Sequence, residues 1–345
     1  MVISSNTQSL GIIGVKAKDT RSIMVKNYYR LVACDEPVFV VLLKGMSSKP
    51  KIVIIVGPTA SGKSTLGVNL AQKFTGEIVS ADSRQVYTGL NIGSGKITTE
   101  EMAGVPHHLL DVANPETVFT ASDFKTLAHE AILNILAKDK LPIIVGGTGF
   151  YIDTLLSQVN LPAVPPNETL RQILNQKPTT ELGSKLKTLD EERFNNIDKN
   201  NRRRLIRAIE IATALGKVPK AYKTESPFDY LIIGINIPQA ELDEKIYQRL
   251  MERLNSGLIE EVETLHAQGL TYKRLENLGL EYKFIAYFLQ NKLTKAEMIE
   301  KLYTAIRQYS KRQLTWLKKN KNIKWLNRKN LLQEATLVVG NFLTH

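Results

Sequence analysis

The chain predicts an α/β fold in which a parallel β-sheet is flanked by helices, with a helical insertion and a helical, basic C-terminal part. Three observations carry this prediction. Apolar runs of strand length recur at 52–56, 141–145 and 230–235 of the 345 residues, as strands buried on both faces require. Stretches with helical apolar spacing lie between and after them, notably 120–138, 200–214 and 239–255. The first run also ends in a glycine-bounded turn that opens directly onto a helical pattern over 63–74. The expected segments are a core over 46–158, a helical insertion over 159–200, and a return to the core plus the basic helical part over 201–345.

The turn organises the rest. Its residues, Gly57, Pro58, Thr59, Ala60, Ser61, Gly62, Lys63 and Ser64, fit G-x-x-x-x-G-K-[ST] between a strand and a helix. Successive N–H groups of such a loop point inward, the helix start adds partial positive charge, and Lys63 adds a full one. A di- or trianionic phosphate suits this cradle, and Ser64 would place its hydroxyl on a Mg²⁺ bridging phosphate oxygens. The alternative is a chance glycine turn, which the flanking strand and helix disfavour. The sheet is therefore expected to be P-loop NTPase-like. The motif fixes an anion without fixing a reaction.

A second strand over 77–80 leads into Asp82 and Ser83, at the strand end where ligands of open α/β sheets gather. The region 88–108 reads as a glycine-rich loop ending in His107 and His108, which as sequence neighbours point apart and make a poor chelating pair. Thr120 and Asp123 form a capping box for the helix that follows. The strand over 141–145 ends in Gly146-Gly147-Thr148-Gly149, where a nucleotide hydrolase usually carries a Mg²⁺-binding Asp. That substitution argues against a motor or switch NTPase.

Four prolines, at 162, 165, 166 and 178, mark the insertion. The helix over 200–214 carries Arg202, Arg203, Arg204 and Arg207, which cannot share one face, and ends near Gly216 as a C′ residue. In the helix over 239–255, Lys245 and Arg249 lie at i and i+4, where they could serve a diphosphate or simply a solvated face. A further capping box, Thr294 with Glu297, precedes a long basic helix, and a short strand is expected over 323–326.

The formal net charge is +12, which favours a polyanionic partner. Residues 301–330 contain ten Lys or Arg and no Asp or Glu, interleaved with Tyr303, Tyr309, Trp316 and Trp325. That mixture suits a nucleic-acid surface and equally a solvated basic helix. No apolar run approaches the length needed to cross a bilayer, so no membrane partner is expected. The single cysteine, Cys34, excludes an internal disulfide and a cysteine-rich zinc site, which suits the cytoplasm. Residues 1–45 differ from the rest and lack a signal-peptide pattern. Met46 is the expected start, with the preceding segment absent from the natural product or disordered.

GPTASGKS, SADSRQVY, PHHLLDV, GGTGFY, RRRLIRAIE and KRQLTWL, in that order over about 51–319, closely resemble the tRNA dimethylallyltransferases, also called tRNA isopentenyltransferases. The resemblance implies that the cradle, Gly57 to Ser64, holds the diphosphate of dimethylallyl diphosphate. The implied acceptor is N6 of the adenosine immediately 3′ of the anticodon in tRNA. Asp82 would be the general base and Thr148 would hydrogen-bond the oxygen bridging prenyl and diphosphate, with Mg²⁺ as cofactor. Contacts to tRNA would come from Asp82, Ser83, Arg84 and Gln85, and from Arg203, Arg204, Lys311, Arg312 and Gln313. A monomer is expected.

Two departures stand out. Residues 275–284, LENLGLEYKF, replace the commoner I-G-Y-K-E pattern, so no tRNA contact is carried over there. Lys245 stands where an arginine is expected, which leaves Arg249 as the candidate for the diphosphate. Three rival readings fit parts of the pattern: a P-loop kinase with Asp82 activating a hydroxyl, a prenyltransferase acting on free adenine nucleotide, and a nucleotide-gated RNA-binding protein without chemistry.

Overall fold

The structure, a computed structural model, describes residues 48–156, 162, 164–220 and 225–344. The expectations for 1–45, for Cys34 and Met46, and for the first residues of the insertion lie outside the described residues.

In chain order the larger of two compact units contains β1 (Lys51–Val56), α1 (Lys63–Lys73), β2 (Gly76–Ser80), α2 (Thr99–Met102), β3 (His107–His108), α3 (Ala121–Leu136), β4 (Leu141–Gly146) and α4 (Gly149–Leu156). The smaller unit, Ser157–Glu225, contains α5 (Glu168–Gln176), α6 (Thr179–Leu189), α7 (Glu191–Asn195) and α8 (Arg202–Leu215). The chain then returns to the larger unit with β5 (Asp229–Asn236), α9 (Gln239–Asn255), α10 (Leu258–Ala267), α11 (Tyr272–Leu278), α12 (Leu280–Leu289), α13 (Lys295–Leu317), β6 (Ile323–Asn327) and α14 (Leu331–Thr344).

The six strands form one parallel sheet in the order β3-β2-β4-β1-β5-β6. β1 is central, and Ile52, Val53, Ile54 and Ile55 are all fully buried. Their alternation divides two apolar layers. Ile52, Ile54 and Val56 face Phe124 and Ile132 of α3 and Ile152 of α4, whereas Val53 and Ile55 face Leu66 and Leu70 of α1 and Ala335 and Val339 of α14. Each such side chain contributes about 1.5–3 kcal/mol by leaving water, which explains the unbroken apolar run of a strand covered on both sides.

The sheet puts three strand ends, those of β1, β2 and β4, side by side. Val56 pairs with Gly146 across β1 and β4, and Ser80 with Val145 across β2 and β4. The loops that follow, beginning at Gly57, Ala81 and Gly147, therefore emerge together, at the edge where parallel sheets bind ligands.

Two expectations change. The region 88–108 is not all loop: Thr98 caps α2 with a complete capping box, and His107 and His108 pair with Ile78 and Val79 as an edge strand. The two-residue strand is too short to show periodicity. The boundary expected between residues 200 and 201 moves to 225/226, because α8 packs with α5 and α6 instead of the sheet. Leu205, Ile206 and Ile209 of α8 share a core with Leu174, Leu182 and Leu186. Glu210, 2% exposed, accepts hydrogen bonds from Arg171, Arg207 and the Asn167 N–H, tying α8 to the start of the unit.

Glu77 of β2 is the most deeply embedded acid of the sheet. It is 1% exposed and meets His108 at 2.7 Å, Lys140 at 2.8 Å and Lys138 at 3.1 Å. Burial pushes its pKa up, but hydrogen bonds from Lys140, His108 and Lys138 outweigh that and hold it at about 2. A folded pKa below the unfolded one gives stability that is complete above the unfolded value near 4.5 and is lost as pH falls toward 2. Glu77→Gln should therefore destabilise the protein by about 3 kcal/mol at pH 7, with the gap to wild type closing below pH 4.5. Urea unfolding at a series of pH values checks this; a gap independent of pH would contradict it.

Candidate active site

The loop after β1 is shaped by its backbone. Ser61 N–H donates to the Pro58 carbonyl at 3.3 Å, and Leu66 N–H to that of Gly62 at 3.1 Å, so the helix starts without delay. Gly62 has φ 91°, in the left-handed region that favours glycine. Ala60 occupies that region too, at φ 62°, a local strain of about 1 kcal/mol. Helix α1 begins with no side-chain cap and no acidic residue in its first turn. The positive end of its dipole is thus left for a ligand.

Lys63, half-buried, reaches back over the loop and donates to the Pro58 carbonyl at 3.2 Å. It lines one pocket together with Thr59, Ser64, Asp82, Gln85 and Arg249. Burial pulls the Lys63 pKa down to about 8; Asp82 opposes this and Arg249 adds to it. Burial likewise lowers Arg249, to about 10, with Arg253 next in effect. Positive charge is concentrated here beyond what the neighbouring acids neutralise, a condition that an arriving anion relieves. A wider cleft of about 540 Å³ adjoins the pocket and brings in Lys245, so Lys245 and Arg249 do share a lined face.

The Asp82 segment is built from hydrogen bonds to its neighbours. Ala81 N–H donates to the Val145 carbonyl at 2.8 Å, and Asp82 Oδ1 accepts from Arg84 N–H at 2.9 Å. Ser83 N–H donates to Thr148 Oγ1 at 3.2 Å. The Thr148 hydroxyl therefore keeps its own proton to donate, beside the segment that carries Asp82. Sequence spacing could not have joined Ser83 to Thr148; the β2–β4 pairing does.

The remaining expected residues divide into inward and outward groups. Gln85 turns inward: its amide donates to the Gly95 carbonyl at 3.0 Å and accepts from Ser80 Oγ at 3.1 Å. Arg84 donates to the Asn277 carbonyl at 3.3 Å and is half-buried. Lys311 and Arg312 are exposed on α13, with the Arg312 guanidinium 5.9 Å from the Tyr309 ring centre. Burial, with the charge of Asp82 next, pushes the Tyr309 pKa up to about 12. Gln313 departs from expectation. It is 9% exposed, and its amide bonds Thr59 N–H and the Gly147 carbonyl, so it cannot present itself to a bulky nucleic acid. In the smaller unit Arg203 and Arg204 are exposed, whereas Arg202 and Arg207 spend their donors on Thr179 and on Glu210 and Val164.

Sequence reasoning missed a clamp on the loop at 91–95. Glu261 of α10 accepts from the N–H groups of Asn91, Ile92 and Gly93 at 2.7–3.0 Å and from the Tyr282 hydroxyl at 2.9 Å. Arg253 joins Glu281 at 3.3 Å, and burial raises the Glu281 pKa against the pull of Arg253. The only signal for Arg253 was its place four residues after Arg249. Gly95 has φ 61°, and a Cβ there would lie 1.7 Å from Arg253 Nη2, so any larger residue would push the arginine head groups aside.

Among the described residues no group of three His, Cys, Asp or Glu could hold a metal alone. Ser64, Ser80 and Asp82 offer the hydroxyl and carboxylate oxygens that suit Mg²⁺, and a cation there would complete its shell with phosphate oxygens and water. No described helix is long and apolar enough to cross a membrane.

Comparison with known proteins agrees with this geometry. The family described as IPP transferase matches residues 85–320. tRNA dimethylallyltransferase 2 of Treponema denticola is 43% identical over 279 residues, 79% of this chain and 93% of its own length. The tRNA dimethylallyltransferase of Pediococcus pentosaceus is 41% identical over 80% of this chain and 90% of its own. Among solved structures, the full-length tRNA isopentenylpyrophosphate transferase of Bacillus halodurans superposes with a TM-score of 0.66 at 34% identity, covering 86% of this chain and 97% of its own. A eukaryotic dimethylallyltransferase acting on tRNA gives a TM-score of 0.75 at 27% identity, over 86% of this chain and 80% of its own. The extent and identity of these matches place the chain in the tRNA dimethylallyltransferase family, the IPP transferases.

Proposed function

We propose that this protein transfers the dimethylallyl group of dimethylallyl diphosphate to N6 of the adenosine immediately 3′ of the anticodon in tRNA, releasing diphosphate. The observation that carries the reading is the meeting of two chemistries at one sheet edge. Lys63, Ser64 and Arg249 line a pocket with Asp82, and Thr148 is hydrogen-bonded to the residue after Asp82.

In the proposed reaction the bond from N6 to the allylic carbon forms as the bond from that carbon to the bridging oxygen breaks. Negative charge grows on that oxygen. Lys63, the N-terminus of α1 and Arg249 stabilise it, and the Thr148 hydroxyl donates to it. Bound Mg²⁺, with Ser64 as a ligand, would supply further charge neutralisation on the diphosphate. Asp82 accepts the N6 proton, so a poorly nucleophilic amine is not required to carry positive charge. Its orientation comes from the Arg84 N–H on Oδ1, which leaves the other oxygen for the substrate. The adenine must leave the anticodon stack to reach this edge. Lys311, Arg312 and Arg84 from the larger unit, and Arg203 and Arg204 from the smaller, are proposed to hold the tRNA backbone. We propose that it acts as a monomer.

Incubation with labelled dimethylallyl diphosphate, Mg²⁺ and tRNA, AMP or ATP as acceptor tests the reading. Label should appear on tRNA; label on AMP or ATP with none on tRNA would overturn it. Asp82→Ala should lower kcat by about 10²–10⁴-fold, the usual contribution of a general base, with tRNA affinity held within about threefold. Loss of tRNA binding with retained turnover would contradict the role. Binding of tRNA should weaken by at least about tenfold between 50 and 200 mM salt as several phosphate contacts release counterions, measured by filter binding. A flat response would remove the basic surface from the account.

A further inference from the structure

Thr148 lies between two glycines, and both are pressed against helix α13. A Cβ at Gly147 would sit 2.4 Å from Gln313 Nε2, and one at Gly149 would sit 1.5 Å from the Trp316 ring. Gln313 and Trp316 are one turn apart on the same face of α13. The Gln313 amide does more than fill space. Its Oε1 accepts from Thr59 N–H, in the cradle after β1, at 3.0 Å. Its Nε2 donates to the Gly147 carbonyl, in the loop after β4, at 3.0 Å.

We propose that Gln313 is a positioning residue that sets the spacing between the phosphate cradle and the Thr148 hydroxyl. This rests on the role of Thr148 in the proposed reaction. A single planar amide joins the two loops that must act on opposite ends of one leaving group, the terminal phosphate and the bridging oxygen. The task demands one acceptor and one donor at fixed separation. Glutamine meets it; glutamate offers two acceptors, and asparagine is one methylene too short. Occupying the Thr59 N–H has a second effect. That group is withdrawn from anion binding, so the anion is left to the N–H groups at the start of α1. Strand pairing alone cannot supply this control, because β1 and β4 end at Val56 and Gly146, before either loop begins.

Gln313→Ala and Gln313→Glu test the proposal in the full-length protein, with four measurements: the Kd of inorganic pyrophosphate with Mg²⁺, kcat for transfer to tRNA, the Kd of tRNA, and the thermal midpoint. Pyrophosphate affinity should fall about tenfold in both variants and kcat by about 30-fold or more, in line with the cost of slight misplacement. The tRNA Kd should stay within about threefold. For Gln313→Glu, kcat relative to wild type should recover as pH is lowered from 8 to 5, because burial and the facing Gly147 carbonyl favour the protonated carboxyl, which again donates to that carbonyl. Neither a stability defect nor a lost tRNA contact produces that recovery. Unchanged pyrophosphate affinity overturns the proposal, as does a tRNA affinity that falls in step with kcat or a kcat ratio that does not vary with pH. If the wild-type protein does not prenylate tRNA, the functional reading fails, while pyrophosphate affinity still reports on the spacing.

Discussion

The structure depends on positive charge held against its own repulsion at the end of β1. Lys63 and Arg249 line one pocket at a loop whose following helix presents an uncapped N-terminus, the charge of Arg253 adds to their repulsion, and burial depresses Lys63 and Arg249. Such an arrangement is costly in the absence of a ligand, since charges that leave water without full compensation destabilise the fold. It persists because rigid supports on every side keep the groups in place. The central strand is locked by two apolar layers, α9 delivers its cations at i and i+4, and Glu281 partly neutralises Arg253. A multiply charged anion would relieve that repulsion.

Around this charge the protein arranges three loops that strand order makes neighbours. The cradle, the Asp82 segment and the Gly146–Gly149 turn are distant in sequence, yet they follow β1, β2 and β4, which pair in register. Hydrogen bonds then tie the loops to one another: Ser83 to Thr148, and Gln313 to both the cradle and Gly147. Each tie places a group that would act on the leaving group or on the incoming nucleophile. Catalysis by such a site is a matter of preorganised donors, which need not reorient as charge develops.

The sequence made the scaffold legible because its strands are buried on both faces and its helices carry capping boxes. The runs at 52–56, 141–145 and 230–235, the Thr120–Asp123 and Thr294–Glu297 boxes, and the helix over 239–255 all have local physical causes, and the structure has each of them. The cradle was legible for the same reason, as glycines and a lysine at fixed spacing. What stayed hidden depends on partners far along the chain. Gln313 looks like one more polar residue beside Lys311 and Arg312, but it lies on the buried face of α13 and meets residues 254 and 166 positions away. Glu261, clamping three N–H groups about 170 positions earlier, left no trace in spacing. The end of the smaller unit was misjudged because α8 has arginines that suit a surface and an apolar stripe that suits either unit. Only its packing against α5 and α6 decides which.

The most direct test is a crystal structure with a non-reactive thio analogue of dimethylallyl diphosphate, Mg²⁺ and a tRNA anticodon stem-loop. The account predicts the diphosphate on the α1 N-terminus with Lys63 and Arg249, the Thr148 hydroxyl on the bridging atom, and an Asp82 oxygen within about 3 Å of the adenine N6. An Asp82 carboxylate turned away from the base, with no passage from it to the diphosphate, would contradict it.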